Sequence, residues 1–117
     1  MKVSIYHNPR CSKSRQTLEL LRGRGIEPEV IEYLQTPPDA AALRKILALL
    51  GMDPRQLLRT GEPEYRELGL DRDDVREDRI IEAMVSHPRL IQRPIVVAGD
   101  AARIGRPPER VLEIIAP

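Results

Sequence analysis

The sequence predicts an α/β fold in which a four-stranded mixed sheet is flanked by helices. A short strand, an apolar helix and a second strand follow one another near the N-terminus within about 30 residues, which favours a parallel strand-helix-strand unit. Two apolar runs near the C-terminus are separated by Gly99 and Asp100, the residue types of a hairpin turn. The length of 117 residues suits one compact domain.

The opening unit starts with an apolar run at residues 3–6, which predicts a strand. An apolar helix carrying Leu18 and Leu21 follows, and Gly23 and Gly25 end it. Residues 29–33 alternate around Val30 and Ile31 and predict the second strand. This order is the first half of a thioredoxin-like layout.

The middle of the chain, at about residues 37–88, predicts a helical insert. Asp39 can cap a helix with one apolar face, and Gly51 ends that helix. Asp53 and Pro54 open a short helix that runs through Leu58, and residues 63–68 predict another.

Aspartate and proline positions predict the last helix of the insert and the C-terminal elements. Asp73 or Asp74 can cap a longer helix that carries Val75 and ends at His87, because the residue before a proline disfavours the helical conformation. Residues 95–98 and 101–104 form the predicted hairpin. A final helix then begins at residue 107 or 108, where two prolines stand in sequence.

Charge and hydropathy argue against several function classes. The 19 Lys and Arg residues against 18 Asp and Glu residues leave a net charge of +1, which offers no general field for binding nucleic acid or an anionic membrane. No run approaches the roughly 20 apolar residues of a membrane span. The N-terminus also lacks the apolar segment of a secretory signal. We therefore expect a cytoplasmic protein with neither nucleic-acid nor membrane partners.

Cys11 is the single cysteine and lies in a polar loop, residues 7–15, between the first strand and the first helix. Backbone N–H groups at the helix N-terminus, together with Arg10, Lys13 and Arg15, are expected to favour its thiolate. The same N-terminus can bind an oxyanion. Because the polar neighbours argue against a buried structural cysteine, the loop predicts a reactive thiol.

Spacing excludes two specific cysteine motifs. A tyrosine-phosphatase loop needs an arginine six positions after the cysteine, where this chain has Thr17. A dithiol redox motif needs a second cysteine at position 14, where this chain has Ser14. Any disulfide of Cys11 must therefore involve another molecule.

His7 and Ser14 each allow two interpretations. His7 is either a cation or hydrogen-bond partner for the thiolate, or a histidine that merely ends the strand. Ser14 is either a helix N-cap or loop hydrogen-bonding residue, or a group that steadies the sulfur.

Three arginines stand at element boundaries: Arg59 after the short helix, Arg93 before the third strand, and Arg106 before the last helix. Pro94 occupies the start of the third strand, a position that proline tolerates. Guanidinium groups match tetrahedral oxyanions in bidentate fashion. Each arginine alone is equally a solvated surface group, and spacing does not show that the three converge.

Four separated segments carry a resemblance that covers nearly the whole chain. They are YHNPRCSKS at residues 6–14, LLR with EYRELGL at residues 57–59 and 64–70, LIQRPIVV at residues 90–97, and GRP at residues 105–107. Together they resemble the glutaredoxin-dependent arsenate reductases and their close relatives.

This resemblance implies a thioredoxin-like fold with a helical insert and a set of site residues. Cys11 matches the family nucleophile that attacks arsenate, and His7 matches the family histidine that favours the thiolate. Arg59, Arg93 and Arg106 match the arginines that hold arsenate, its covalent adduct and the reduced intermediate. Three supporting residues complete the expected site: Asn8, Ser14 and Pro94, the last as a cis-proline facing the cysteine.

The resemblance also implies a reaction. Cys11 forms a covalent adduct with arsenate, glutathione attacks it, glutaredoxin reduces the resulting mixed disulfide, and arsenite leaves. Glutathione is then a co-substrate, and we expect no bound cofactor and no metal. A lone cysteine agrees with this scheme, because its resolving thiol must come from another molecule.

Two other functions stay open at this point. An RNA-polymerase-binding regulator of the Spx type shares the fold, but such regulators commonly use a Cys-x-x-Cys switch that Ser14 removes. A monothiol oxidoreductase acting on glutathione adducts without arsenic is the third interpretation, because Cys-x-x-Ser also suits that task.

Overall fold

The computed structural model describes residues 2–115, which contain a mixed four-stranded sheet flanked by helices. The strands are β1 (Val3–His7), β2 (Glu29–Glu32), β3 (Ile95–Ala98) and β4 (Ala101–Ile104), in the spatial order β2-β1-β3-β4. β1 is parallel to β2, whereas β3 runs antiparallel to both β1 and β4. The predicted fold class and the predicted hairpin are confirmed.

The helical elements follow the predicted order, with one addition that the sequence did not predict, the 3-10 helix Pro88–Leu90. They are α1 (Ser12–Gly23), α2 (Ala40–Leu50), α3 (Pro54–Leu57), α4 (Pro63–Glu67), α5 (Glu77–Ser86) and two 3-10 helices, Pro88–Leu90 and Pro108–Ile114. The chain divides into a first unit, residues up to 36 with those from 93 onward, and a second unit, residues 37–92. That the whole chain forms a single domain with an insert at about 37–88 stays a prediction.

The core of the first unit lies between the sheet and α1. Ile5 of β1 pairs with Val96 of β3, and both pack against Leu21 of α1 and Val111 of the last 3-10 helix, all four without solvent exposure. Burying such a side chain stabilises a fold by about 1.5–3 kcal/mol. Tyr6 pairs with Ile95, so the end of β1 lies beside the start of β3.

The second unit is helical and has its own buried side chains, on α2 and α5 among others. The Asp39 carboxylate accepts a hydrogen bond from the Ala42 N–H at 2.8 Å, and Gly51 ends α2 at φ 68°. Both helix-end signals therefore act as predicted. A short antiparallel bridge joins Leu58 to Ile91.

Two sequence-based helix boundaries and one helix type were wrong. α5 begins at Glu77, not after Asp73 or Asp74, because these aspartates lie in a turn where Asp74 accepts a hydrogen bond from Arg72. Val75 therefore precedes the helix. α3 ends at Leu57, since Leu58 leaves the helix for its bridge, and the final helix is of the tighter 3-10 type.

Within residues 2–115, no helix combines the length and the apolar composition needed to cross a bilayer. The same residues contain no group of three or more His, Cys, Asp or Glu side chains arranged to hold a metal ion.

Candidate active site

Cys11 occupies the N-cap position of α1, directly after the loop that leaves β1. Its backbone is extended, with φ −95° and ψ 122°, and its side chain makes no capping hydrogen bond. The first turn of α1 also contains no acidic residue. The helix N-terminus therefore keeps free N–H donors and positive partial charge at the sulfur, as the sequence predicted.

The sulfur is less exposed than the sequence suggested. Cys11 is only 9% exposed, so the expectation that polar neighbours would keep it at the surface was wrong. Burial acts to raise the pKa of the Cys11 thiol, but the Ser14 and Lys13 backbone N–H groups and the Arg93 guanidinium together lower that pKa below its usual range. The cysteine is buried among donors that favour its thiolate.

Arg93 is the side-chain cation beside the sulfur. Its guanidinium lowers the pKa of Cys11 both through a hydrogen bond and through its positive charge. Its Nε is buried and has no hydrogen-bond partner within residues 2–115. A buried donor without a partner is costly, so an anion bound next to the sulfur would satisfy it.

The basic residues next to Cys11 in sequence act differently from the prediction. Lys13 contributes its backbone N–H rather than its ammonium group to the sulfur. Arg15 donates from Nη1 to the Pro9 carbonyl oxygen at 2.9 Å, and Arg10 is exposed. The cation that favours the thiolate therefore comes from residue 93.

His7 and Ser14 form a buried hydrogen-bonded pair behind the loop. Ser14 Oγ lies 2.6 Å from His7 Nδ1 and accepts a hydrogen bond from the Asn8 N–H at 3.0 Å. Because Cys11 is the N-cap, Ser14 is not, and the interpretation of Ser14 as a loop hydrogen-bonding residue is the one that fits. The pair connects the last residue of β1 to the first turn of α1.

The surroundings of His7 favour its neutral imidazole. Burial of the imidazole lowers the pKa of His7 first of all, Arg22 and Arg15 lower it further, and Glu32 opposes them. The interpretation of His7 as a cation for the thiolate therefore does not fit. The His7 Nδ1 hydrogen bond goes to Ser14 Oγ rather than to the sulfur, so a hydrogen bond from His7 to the thiolate stays a prediction.

Asn8 shapes the loop that carries the cysteine. Its side-chain oxygen accepts from the Arg10 N–H at 3.0 Å, and its carbonyl oxygen accepts from the Cys11 N–H at 3.0 Å. These bonds form a tight turn of the type that asparagine favours. The turn delivers Cys11 to the end of α1.

Pro94 and Arg106 lie in the first unit as well. Pro94 is buried, and the Arg93–Pro94 and Arg106–Pro107 peptide bonds are both cis. The Gly105 N–H donates to the Pro94 carbonyl oxygen at 2.9 Å, which fixes the backbone directly before Arg106 to the residue after Arg93. The Arg106 side chain is exposed and makes no ion pair within the described part of the chain.

Arg59 belongs to the second unit. Its N–H donates to the Leu90 carbonyl oxygen at 2.7 Å, and its Nη2 lies 3.3 Å from the Glu62 carboxylate. Its Nη1 is buried without a hydrogen-bond partner among residues 2–115. The sequence placed Arg59 at the end of a helix, whereas it follows the bridge residue Leu58. Its role at Cys11 stays a prediction.

The structure thus brings together five of the predicted site residues. Cys11, Asn8, Ser14 and His7 form one hydrogen-bonded loop, and the Arg93 guanidinium lies at the Cys11 sulfur. A thiolate beside free amides and a guanidinium can attack an electrophilic centre that carries negatively charged oxygens. Two residues next to this group, Thr17 and Gly105, were not singled out in the sequence as parts of the site, because neither carries a charged or nucleophilic side chain.

This chain is similar to a family model, to named relatives and to solved structures. The model of the ArsC family matches residues 6–114 of this chain. An Escherichia coli relative named uncharacterized protein YfgD is 58% identical over 97% of both chains. A Haemophilus influenzae protein named arsenate reductase is 49% identical over 98% of this chain and 100% of its own. The solved structure of an arsenate reductase from Vibrio cholerae has a TM-score of 0.96 and 50% identity, and the match covers 98% of each chain.

Proposed function

Because this chain belongs to the ArsC family, we propose that it is an arsenate reductase, a thiol-dependent oxidoreductase that converts arsenate to arsenite. The observation that carries the proposal is the setting of Cys11, which combines the N–H groups of Ser14 and Lys13 with the Arg93 guanidinium. Relatives named arsenate reductase that share about half of their residues with this chain support it.

Cys11 is the nucleophile in this proposal. Its thiolate attacks arsenic, a sulfur–arsenic bond forms, and one arsenate oxygen leaves as water after protonation. The helix amides and Arg93 bind the remaining negatively charged oxygens, because they already favour negative charge at that position. The buried Nε of Arg93 is a further donor for such an oxygen.

The other predicted residues take supporting roles. Arg106 and Arg59 are proposed to supply further guanidinium donors for arsenate and for its adduct, as in the family resemblance. Asn8 shapes the loop, and Pro94 is proposed to face the cysteine as a cis-proline, as in the family resemblance. His7 acts through Ser14, whose hydroxyl links the neutral imidazole to the first turn of α1.

The electrons come from outside the chain. Reduction of arsenate to arsenite consumes two electrons, which two thiols supply by forming one disulfide. Since Cys11 is the single cysteine, we propose that glutathione attacks the adduct and that glutaredoxin reduces the resulting mixed disulfide. No resident cofactor is part of this scheme, and a glutathione-rich cytoplasm is its proposed location.

The test is arsenite production by the purified protein with arsenate, glutathione and glutaredoxin. We expect turnover that falls to background when any one of the three is omitted, or in Cys11→Ser. Unchanged turnover without glutaredoxin would remove glutaredoxin from the proposal and leave the reductase itself standing.

Two outcomes would replace the proposal with another function. Reduction of a glutathionylated peptide without any arsenite formation would favour a monothiol oxidoreductase. Co-purification with RNA polymerase by a protein that shows no thiol chemistry would favour a regulator of the Spx type.

A further inference from the structure

Thr17 is a hydroxyl-bearing residue with no solvent exposure, on the turn of α1 that follows Cys11. Its Oγ1 donates a hydrogen bond to the Lys13 carbonyl oxygen at 2.7 Å. This bond links the second turn of α1 to the first turn, whose Lys13 and Ser14 N–H groups lie at the Cys11 sulfur. Thr17 is therefore attached directly to the part of the helix that holds the anion donors.

Gly105 faces Thr17 across a contact that leaves no room for a side chain. A Cβ at position 105 would lie 2.5 Å from Thr17 Oγ1, 2.9 Å from Pro94 Cγ and 3.2 Å from Thr17 Cγ2. Gly105 is not one of the glycines with positive φ, so its backbone conformation alone does not require glycine. The requirement at this position is space.

The contact joins the three chain segments that carry the donors of the first unit. Gly105 is hydrogen-bonded to the Pro94 carbonyl oxygen, Arg93 precedes Pro94, and Arg106 follows Gly105. Thr17 belongs to the helix that starts at Cys11. A shift of Gly105 away from Thr17 would therefore move the backbone next to both arginines relative to the end of α1.

We propose that Thr17 and Gly105 are positioning residues, whose close packing sets the distance between the amide donors of α1 and the guanidinium donors of Arg93 and Arg106. The identity of the anion rests on the function proposed above. The geometry itself concerns any tetrahedral oxyanion bound at Cys11, because such an anion needs both sets of donors at once.

The decisive variant is Gly105→Ala, assayed by two measurements at Cys11. The first is the pKa of the thiol, followed through the ultraviolet absorbance of the thiolate against pH. The second is protection of Cys11 from iodoacetamide by inorganic sulfate, an oxyanion that thiols do not reduce. We expect the Cys11 pKa to rise and the sulfate concentration for half protection to increase about tenfold or more, since small misplacements of such donors have large effects.

A matched control separates positioning from stability. Val111→Ala removes a fully buried side chain from the core formed with Ile5, Leu21 and Val96, none of which belongs to the proposed machinery, so it should lower the melting temperature while leaving both Cys11 measurements unchanged. If Gly105→Ala and Val111→Ala lower the melting temperature but neither changes the Cys11 pKa or the protection by sulfate, the contact is only structural and the proposal fails.

A second pair of variants covers the case in which Gly105→Ala does not fold. Thr17→Ala removes the Oγ1 and Cγ2 atoms that face Gly105, whereas Thr17→Ser keeps Oγ1 and its bond to Lys13. We expect weaker sulfate protection in Thr17→Ala and protection close to wild type in Thr17→Ser. Equal protection in both variants and the wild type would overturn the proposal. None of these measurements uses arsenate, so a failure here is distinct from a failure of arsenate turnover.

Discussion

The N-termini of α1 and α2 differ in how their free backbone N–H groups are satisfied. At α2, the Asp39 carboxylate accepts from the Ala42 N–H, so a side chain satisfies one of the free helix amides. At α1, the N-cap is Cys11, which makes no capping bond, and the amides of Lys13 and Ser14 act on its sulfur instead. The α2 end is capped by a side chain, whereas the amides at the α1 end lie at the Cys11 sulfur.

This difference shows how a reactive site can be recognised on a helix. A good N-cap residue stabilises a helix by about 1 kcal/mol relative to a poor one. α1 lacks that contribution, as well as acidic residues in its first turn. An uncapped, electropositive helix end next to a cysteine therefore indicates a functional position, whereas a capped end such as that of α2 indicates a structural one.

Removing the Arg93 guanidinium, the cation at the start of α1, should have the strongest consequence for activity. Arg93→Ala should reduce arsenate turnover about a hundredfold, the size of effect seen when one donor to a developing oxyanion is removed. It should also raise the pKa of Cys11, because the Arg93 guanidinium lowers it. The pH profile of the Cys11 alkylation rate would then shift toward higher pH.

The control for this variant is Arg24→Ala, which removes an exposed arginine at the other end of the same helix. It should leave turnover and the alkylation profile unchanged. A turnover loss of the same size in both variants would mean that general charge, rather than the place of Arg93, explains the effect.

The next prediction concerns the stability that the Ser14 hydrogen bonds contribute at the start of α1. Ser14→Ala removes the Oγ that serves both His7 Nδ1 and the Asn8 N–H. We expect a loss of about 1–3 kcal/mol in the free energy of unfolding, because buried polar groups are left without partners. Urea denaturation measures this free energy of unfolding. The control is Ser12→Ala, which changes an exposed serine of the same turn. Equal stability of the two variants would contradict a structural role for the His7–Ser14 pair.

The capped end of α2 gives a smaller, purely structural effect. Asp39→Ala should lower the free energy of unfolding by about 1 kcal/mol, and Asp39→Ser should restore most of it, since serine also caps. Turnover of arsenate should stay at the wild-type rate in both variants. A loss of turnover beyond the loss of folded protein would break the distinction between the two helix ends.

The smallest effect is a pH-dependent difference in stability between Cys11→Ser and the wild type. The folded-state pKa of Cys11 is lowered, so the thiolate contributes stability above the pKa of the unfolded thiol and loses it as pH falls through the folded pKa. Serine caps the helix at every pH. Cys11→Ser should therefore be more stable by about 0.5–1 kcal/mol at acid pH.

This advantage should shrink as the pH rises, because the wild type then gains the stability of its thiolate. Urea denaturation of both proteins at several pH values measures the difference between their free energies of unfolding. Because both proteins contain His7, the contribution of its titration cancels in that difference. A stability difference that does not change with pH would contradict a lowered Cys11 pKa.

Much of this arrangement was predictable from local sequence. The turn residues, the glycine after α2 and the lone cysteine before an apolar helix are signals carried by neighbouring residues, and they located β1, α1 and the place of Cys11 at the start of α1. The cation was not predictable in this way. Arg93 reaches Cys11 because β3 pairs with β1 at Tyr6 and Ile95, and a pairing between residues so far apart leaves no periodic signal.

The remaining errors have the same physical origin. The start of α5 was misplaced because Asp74 accepts a hydrogen bond from Arg72 in a turn instead of capping the helix. The exposure of Cys11 was misjudged because the residues around it in sequence are not the residues around it in space. Gly105 carries no local turn signal, and its close approach to Thr17 exists only in the folded chain.

Two of the donors at Cys11 belong to the main chain, and this has a consequence for how the protein can change over evolution. Any residue except proline supplies the same amide, so the side chain at position 13 can vary while the contact to the sulfur persists. Substitutions at position 13 can therefore change the side chains around the sulfur while its main-chain donors stay the same.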